Sequence, residues 1–188
     1  MNRMYLLLAN GFEEVEALTP ADYLRRAGID VKLVSVSGGR NVTGSHGITV
    51  VADMLIGDVV DISSEDGVIL PGGMPGSSNL AASAETTILL QKAQDAAALI
   101  CAICAAPALA LAPKGILDGR CWTCYPGMEN DAGAAQETWC SDRVVVDGNI
   151  ITSRAAGAAG EWSVKIIEKL LGTEAGLKIA RSVLLPAL

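Results

Sequence analysis

The run Ala98-Leu-Ile-Cys-Ala-Ile-Cys-Ala-Ala-Pro107 constrains this chain more than any other stretch. Its unbroken apolar start reads as a strand buried on both faces, as in the middle of a parallel sheet. It passes directly into Ala105-Ala-Pro-Ala-Leu-Ala-Leu-Ala112, which reads as a helix with Pro107 near the first turn, where a missing N–H costs nothing. Cys104 lies at the junction, flanked two residues away by Ala102 and Ala106. Small neighbours let a chain turn sharply from strand to helix and lift one side chain over the end of a sheet, the geometry of a nucleophile elbow. A helix N-terminus behind Cys104 would favour its thiolate. The same cysteine is equally suited to be a small buried hydrophobe, so the rest of the chain must decide.

The flanking sequence alternates strand and helix signals. Met4–Ala9 is an apolar strand, followed by Gly11 and the acidic segment Phe12-Glu-Glu-Val-Glu16. Thr19-Pro20 has the form of an N-cap with proline at the first helical position, and Gly28 ends that helix. Val31–Val36, Gly47–Val51 and Gly67–Leu70 read as strands, the last running into the Gly-rich Pro71–Asn79. Ser83 caps a helix to about Ala97, with Ile88 and Leu89 facing inward. Arg120–Cys124 reads as a short strand and 127–138 as loop with a helical turn. Arg143–Val146 and Ile150–Thr152 flank a hairpin turn at Asp147-Gly148, and Trp162–Leu171 and a segment from Thr173 read as helices. The expected fold is an α/β three-layer sandwich around a mostly parallel sheet, as one domain over 1–188. In such sheets ligands bind beyond the carboxyl ends of the strands. Glu13–Glu16, Gly72-Gly73 and Cys104 all fall there.

Charge and cysteine usage exclude several classes. The net charge of −7 opposes a nucleic-acid surface, which needs Lys and Arg to meet phosphates. No apolar run approaches the ~20 residues that span a bilayer. The apolar start of the chain is too short for a signal peptide and is followed at once by glutamates. The five cysteines are odd in number and mostly in apolar context, which fits free thiols in a reducing cytoplasm. Gly72-Gly73 lacks the Lys-Ser/Thr of a phosphate loop. Its amides, free of Cβ obstruction, suit an oxyanion hole, although an ordinary Gly-rich turn has the same composition. A glutamate of the first loop, buried beside Cys104, would hold its proton and hydrogen-bond the thiolate, while at least one of the three would be solvated.

Ala9-Asn-Gly-Phe-Glu-Glu-Val-Glu16, Leu24-Arg-Arg-Ala-Gly28, Leu70-Pro-Gly-Gly73, Asn79-Leu80, Ala102-Ile-Cys-Ala105 and Thr152-Ser-Arg154 stand in an order and spacing that resembles the ThiJ/PfpI superfamily, nearest the subfamily of the Parkinson-disease-associated protein deglycase. The resemblance covers about residues 4–183. It implies a flavodoxin-like sandwich, a homodimer and a reactive Cys104 bonded to the carboxylic acid of Glu16. It implies an oxyanion hole from Gly73 and the Cys104 amide, and cofactor-free glyoxalase or deglycase activity on methylglyoxal or its early adducts with amines and thiols. An oxidation-sensing chaperone is the alternative it carries, with Cys104 rising to sulfinate.

The chain departs from its relatives at four places. Tyr125, before Pro126, stands where many of them place a histidine, so an intramolecular Cys-His dyad is not expected. His46, the only histidine, falls where close relatives carry an arginine near the dimer interface. Ala106 and Ala155-Ala156 replace a glycine and a Gly-Pro pair. Cys101-x-x-Cys104 and Cys121-x-x-Cys124 match a four-cysteine zinc spacing in number, but Cys101 sits mid-strand, where alternate side chains face opposite ways. No metal or cofactor is therefore expected. Cys124 could instead resolve an oxidised Cys104, and Cys140 reads as a lone loop thiol.

Overall fold

The computed structural model describes residues 3–186. Strands β1 (Arg3–Leu8), β2 (Asp30–Ser35), β5 (Met54–Leu55), β6 (Gly67–Leu70), β7 (Leu99–Ile103), β8 (Val144–Asp147) and β9 (Ile150–Ser153) form one sheet in the order β5-β2-β1-β6-β7-β9-β8. Every pairing is parallel except β8 with β9. A separate hairpin joins β3 (Asn41–Thr43) to β4 (Thr49–Val51). Helices α1 (Glu14–Arg26), α4 (Ala159–Leu171) and α5 (Thr173–Ser182) cover one face, and α2 (Gly76–Ala82) and α3 (Ala84–Asp95) the other. This is the expected three-layer α/β sandwich. The core is aliphatic because the chain is only 4% aromatic. One fully buried tryptophan anchors each layer: Trp122 donates from Nε1 to the Ala135 carbonyl at 2.6 Å, and Trp162 to the Ile151 carbonyl at 3.3 Å.

Several local expectations are corrected. Helix α1 starts at Glu14, five residues before Thr19, and holds Pro20 in its interior. Proline leaves the Glu16 carbonyl without its helical donor. The start at Glu14 instead places Glu14 and Glu16 in the first turn, where negative charge is favoured. The segment after Cys104 is one wide turn over Pro107–Leu111 and a tight turn over Ala112–Lys114. Pro113 cannot donate to Leu109, so a regular α-helix cannot run through. Arg120–Cys124 makes only a bridge between Trp122 and Trp139, because the Cys121 and Thr123 amides bond side chains, Asp147 Oδ2 at 2.8 Å and Thr152 Oγ1 at 2.9 Å. The β8–β9 turn is Gly148-Asn149, with Asp147 still paired to Ile150. Leu89 faces the core as expected, but Ile88 is exposed and Leu90 takes the second inward place. Helix α2 and strands β3 and β5 carried too few residues, and in α2 too many Gly and Ser, to signal themselves.

The Ser83 cap is as expected. Its hydroxyl accepts from the Thr86 amide at 3.0 Å. Ser83→Ala is expected to lower unfolding free energy by about 1 kcal/mol in a urea titration, without altering the slope.

Candidate active site

Four segments meet at the carboxyl end of the central strands. Strand β7 ends at Cys104, which is half-buried and held at φ +64°. A non-glycine residue reaches the left-handed region only when its surroundings hold it there. The Cys104 amide donates to the Ser153 carbonyl at 2.9 Å and its carbonyl accepts from the Tyr125 amide at 2.9 Å, so both sides of the elbow are tied. The turn carries the side chain away from the Trp122 layer, where strand alternation would have put it, toward the layer of Cys101, Ile103 and α1.

Glu16 reaches the sulfur from the first turn of α1 and is 1% exposed. Its Oε2 accepts the Gly72 amide at 2.9 Å, and its carboxyl shares a hydrogen bond with Cys104. Gly72 permits this closeness. A Cβ there would stand 3.1 Å from the Cys104 sulfur, 2.5 Å from its Cβ, and against Glu16 Oε2. Gly73, at φ +88°, lies so close to Gly11 and Glu13 that no side chain fits, and its amide points at the Cys104 sulfur.

Burial pushes the Glu16 carboxyl up to about 7, against hydrogen bonds from Cys104 and the Gly72 and Ala156 amides. Burial and the neighbouring Glu16 push the Cys104 thiol up to about 12, against the Gly73 and Ala105 amides. The two groups titrate as one unit. The pair loses one proton near 7 and keeps the other until far into the alkaline range. The expected pull of the turn behind Cys104 toward thiolate is present but is the smaller effect. The first amide of the turn behind Cys104, that of Ala105, favours the thiolate, but burial and Glu16 outweigh it.

A second correction concerns the oxyanion donors. The Cys104 amide is already committed to Ser153. The amides aimed at the sulfur are those of Gly73 and Ala105. Ala105 was not singled out from sequence, although a left-handed residue at 104 redirects the amide that follows it. Gly72 was grouped with Gly73 as a donor, whereas its amide serves Glu16.

The remaining predicted residues lie around this centre. Tyr125 is exposed at the rim and touches the elbow through its backbone. Cys124 packs in the opposite layer, beside Trp122, with its sulfur 3.9 Å from Glu129 Oε2. Burial and Glu129 push its thiol up to about 12. Cys101 is fully buried in β7, Cys121 is exposed and Cys140 is half-buried with its sulfur against the Trp122 carbonyl. None of the three first-loop glutamates is fully solvated: Glu14 and Glu16 are buried and Glu13 is half-buried.

Glu14 and His46 tie the β3–β4 hairpin to α1. Glu14 Oε2 lies 3.0 Å from His46 Nδ1, and Oε1 accepts the His46 amide at 2.8 Å. Burial opposes the Glu14 charge, but bonds from the His46 side chain and from backbone amides outweigh it and hold the carboxyl down to about 2. The Glu14 bond and the charges of Glu13 and Glu14 raise His46 above its usual 6.5. The Glu14 contribution to stability is therefore complete above its ordinary 4.5 and lost toward about 2. The His46 contribution is complete below 6.5 and lost as pH rises through the raised value. Melting temperature is expected to be highest between about 4.5 and 6.5 as far as this link is concerned, and His46→Ala should flatten the decline on the alkaline side in calorimetry.

A strained cysteine at a strand-to-turn elbow, a buried glutamic acid beside it and two free amides over it define a cysteine-centred α/β sandwich of the nucleophile-elbow class. The DJ-1/PfpI family profile matches residues 2–169, and the chain belongs to the DJ-1/PfpI family. It is 38% identical over 180 residues to Protein dj-1beta of Drosophila melanogaster, covering 95% of each chain. It is 40% identical over 179 residues to Protein DJ-1 homolog B of Arabidopsis thaliana, covering 95% of this chain but 40% of that one, so it spans less than half of that plant relative. Deglycase PH1704 of Pyrococcus horikoshii is 31% identical over 168 residues, covering 89% of this chain and 99% of that one. Among solved structures, oxidized Toxoplasma gondii DJ-1 superposes with a TM-score of 0.93 at 35% identity, covering 98% of this chain and 99% of that one. Among the described residues, no helix is long and apolar enough to cross a membrane.

Proposed function

We propose that the protein is a cofactor-free, cysteine-dependent glyoxalase and protein deglycase of the cytoplasm, acting as a homodimer on methylglyoxal or its early adducts with amines and thiols. The observation that carries this reading is the hydrogen bond between Cys104 and the buried Glu16 carboxyl beneath the Gly73 and Ala105 amides. The deglycase named among its relatives supports it. The sulfur attacks the aldehyde carbon, a C–S bond forms, and the carbonyl π electrons move to oxygen. That oxygen meets the two amides and takes a proton from Glu16. Glu16, now a carboxylate, removes the hydrogen on the same carbon to give an enediol and returns it to the adjacent carbon, while the proton of the first hydroxyl passes to the former ketone oxygen. The resulting lactoyl thioester is hydrolysed by water to lactate and free sulfur. The aldehyde carbon is oxidised as the ketone carbon is reduced, so no external oxidant is needed, and hydrolysis consumes one water and releases one proton with the lactate anion.

The test is conversion of methylglyoxal by the purified protein, with lactate measured as product. Turnover with stoichiometric lactate is the expected result, and its absence ends the enzymatic reading. The same two amides would also suit the oxygens of a sulfinate on Cys104, which favours oxidation sensing as the second reading. Mass spectrometry of Cys104 after mild peroxide tests it.

A further inference from the structure

The loop that follows β9 brings a second backbone donor to Glu16. Strand β9 ends at Ser153, whose carbonyl takes the Cys104 amide at 2.9 Å, so the residues after it start beside the elbow. Ala155 is fully extended, at φ −168° and ψ 174°, and the chain then folds into a tight turn over Ala156–Ala158. That turn closes through the Ala158 amide on the Ala155 carbonyl at 2.8 Å. Ala156 opens it, and the first amides of a helical turn have no partner inside the turn. Among the described residues, no backbone carbonyl accepts the Ala156 amide. It bonds the Glu16 carboxyl instead.

The surroundings of Glu16 give this bond a purpose. The side chain is buried, so the protein itself must meet its acceptor positions, about four in a carboxylate. The Gly72 amide meets one on Oε2 at 2.9 Å, and the Cys104 thiol meets another. Gly72 follows β6, Cys104 follows β7 and Ala156 follows β9, and these strands are neighbours in the sheet. Each therefore delivers one group to the same carboxyl from its own carboxyl end. Burial and the nearby Glu13 carboxylate, itself 3.5 Å from His46 Nδ1, resist a charge on Glu16. The Cys104 hydrogen bond and the two amides favour it.

We propose that Ala156 is a positioning residue for the Cys104–Glu16 pair: its N–H holds the Glu16 carboxyl in place and, with the Gly72 N–H, sets how readily that carboxyl gives up its proton. The inference rests on the proposed function only in taking this pair as the seat of the chemistry. Alanine has no side-chain chemistry, so nothing at position 156 announces the role in the sequence. It is a role of the backbone, fixed by the extended Ala155 and the turn that follows.

Proline at 156 removes the N–H with little other change, because it is tolerated at the start of a turn and asks for the extended residue before it that Ala155 already supplies. Alkylation of Cys104 by iodoacetamide, read peptide by peptide in mass spectrometry across pH, follows the pair without any turnover. Ala156→Pro should move the inflection upward by about 0.5–1 pH unit, and Ala156→Gly, which keeps the N–H, should leave it in place. In the unaltered chain, heteronuclear NMR should show the Ala156 amide proton moving downfield with the same midpoint as that of Gly72. Glu16→Gln should abolish both movements. An unmoved inflection in a folded Ala156→Pro, an equal shift in Ala156→Gly, or an Ala156 amide that ignores the Glu16 titration would each overturn the assignment. The NMR measurement decides the matter if the proline variant fails to fold. Neither readout uses methylglyoxal, so failure of this assignment and failure of the enzymatic reading are told apart.

Discussion

Replacing Cys104 by serine is expected to abolish methylglyoxal turnover, by about 10⁴-fold or more in kcat/KM, because no other group at the site forms the covalent adduct. Serine keeps the shape of the elbow, so its hydrogen bonds to Ser153 and Tyr125 persist. Its hydroxyl is far less acidic than a thiol, and Glu16 cannot hold its alkoxide at neutral pH. Parallel measurement of the melting temperature separates loss of chemistry from loss of fold. Turnover within ten-fold of wild type, with an unchanged melt, would remove Cys104 from the mechanism.

Replacing Glu16 by glutamine is expected to lower kcat/KM by about 10²- to 10⁴-fold, the usual worth of a positioned acid–base group. The amide retains the volume and can still accept from Gly72, so the pocket stays filled. What disappears is the titration. In the wild type, activity should rise with pH through about 7, as the pair loses its first proton and becomes the singly charged nucleophile. Glu16→Gln should show no such rise there. A variant that keeps the inflection assigns it to another group. If the variant keeps both rate and profile, Glu16 is a structural carboxyl only.

The strands were legible because burial on both faces demands an unbroken apolar run: Gly67–Leu70 is a strand to the residue, and Leu99–Ile103 is fully buried. The helix boundaries were less so. Pro20 was read by its local preference for a first turn, while the Glu14 contact with a hairpin more than thirty residues away fixed the start of α1 earlier. The same limit applies at the site. Cys104, Glu16 and Gly73 were named from their spacing and family pattern, and the structure brings all three together. Which amide is free could not be read, because it depends on the Cys104 φ angle and on a ladder bond to Ser153. The direction of the thiol shift was also hidden, since it is set by burial and by a carboxyl from another element.

The left-handed backbone at Cys104 has a consequence for how this protein can change. A side chain there costs on the order of 1 kcal/mol that glycine would avoid. Selection for stability alone would push position 104 toward glycine, and the proposed sulfur chemistry is the reason for the cysteine to stay. Lineages that lose the chemistry should drift first at this position, and a screen for thermal tolerance that ignores activity is liable to return inactive proteins altered at the elbow.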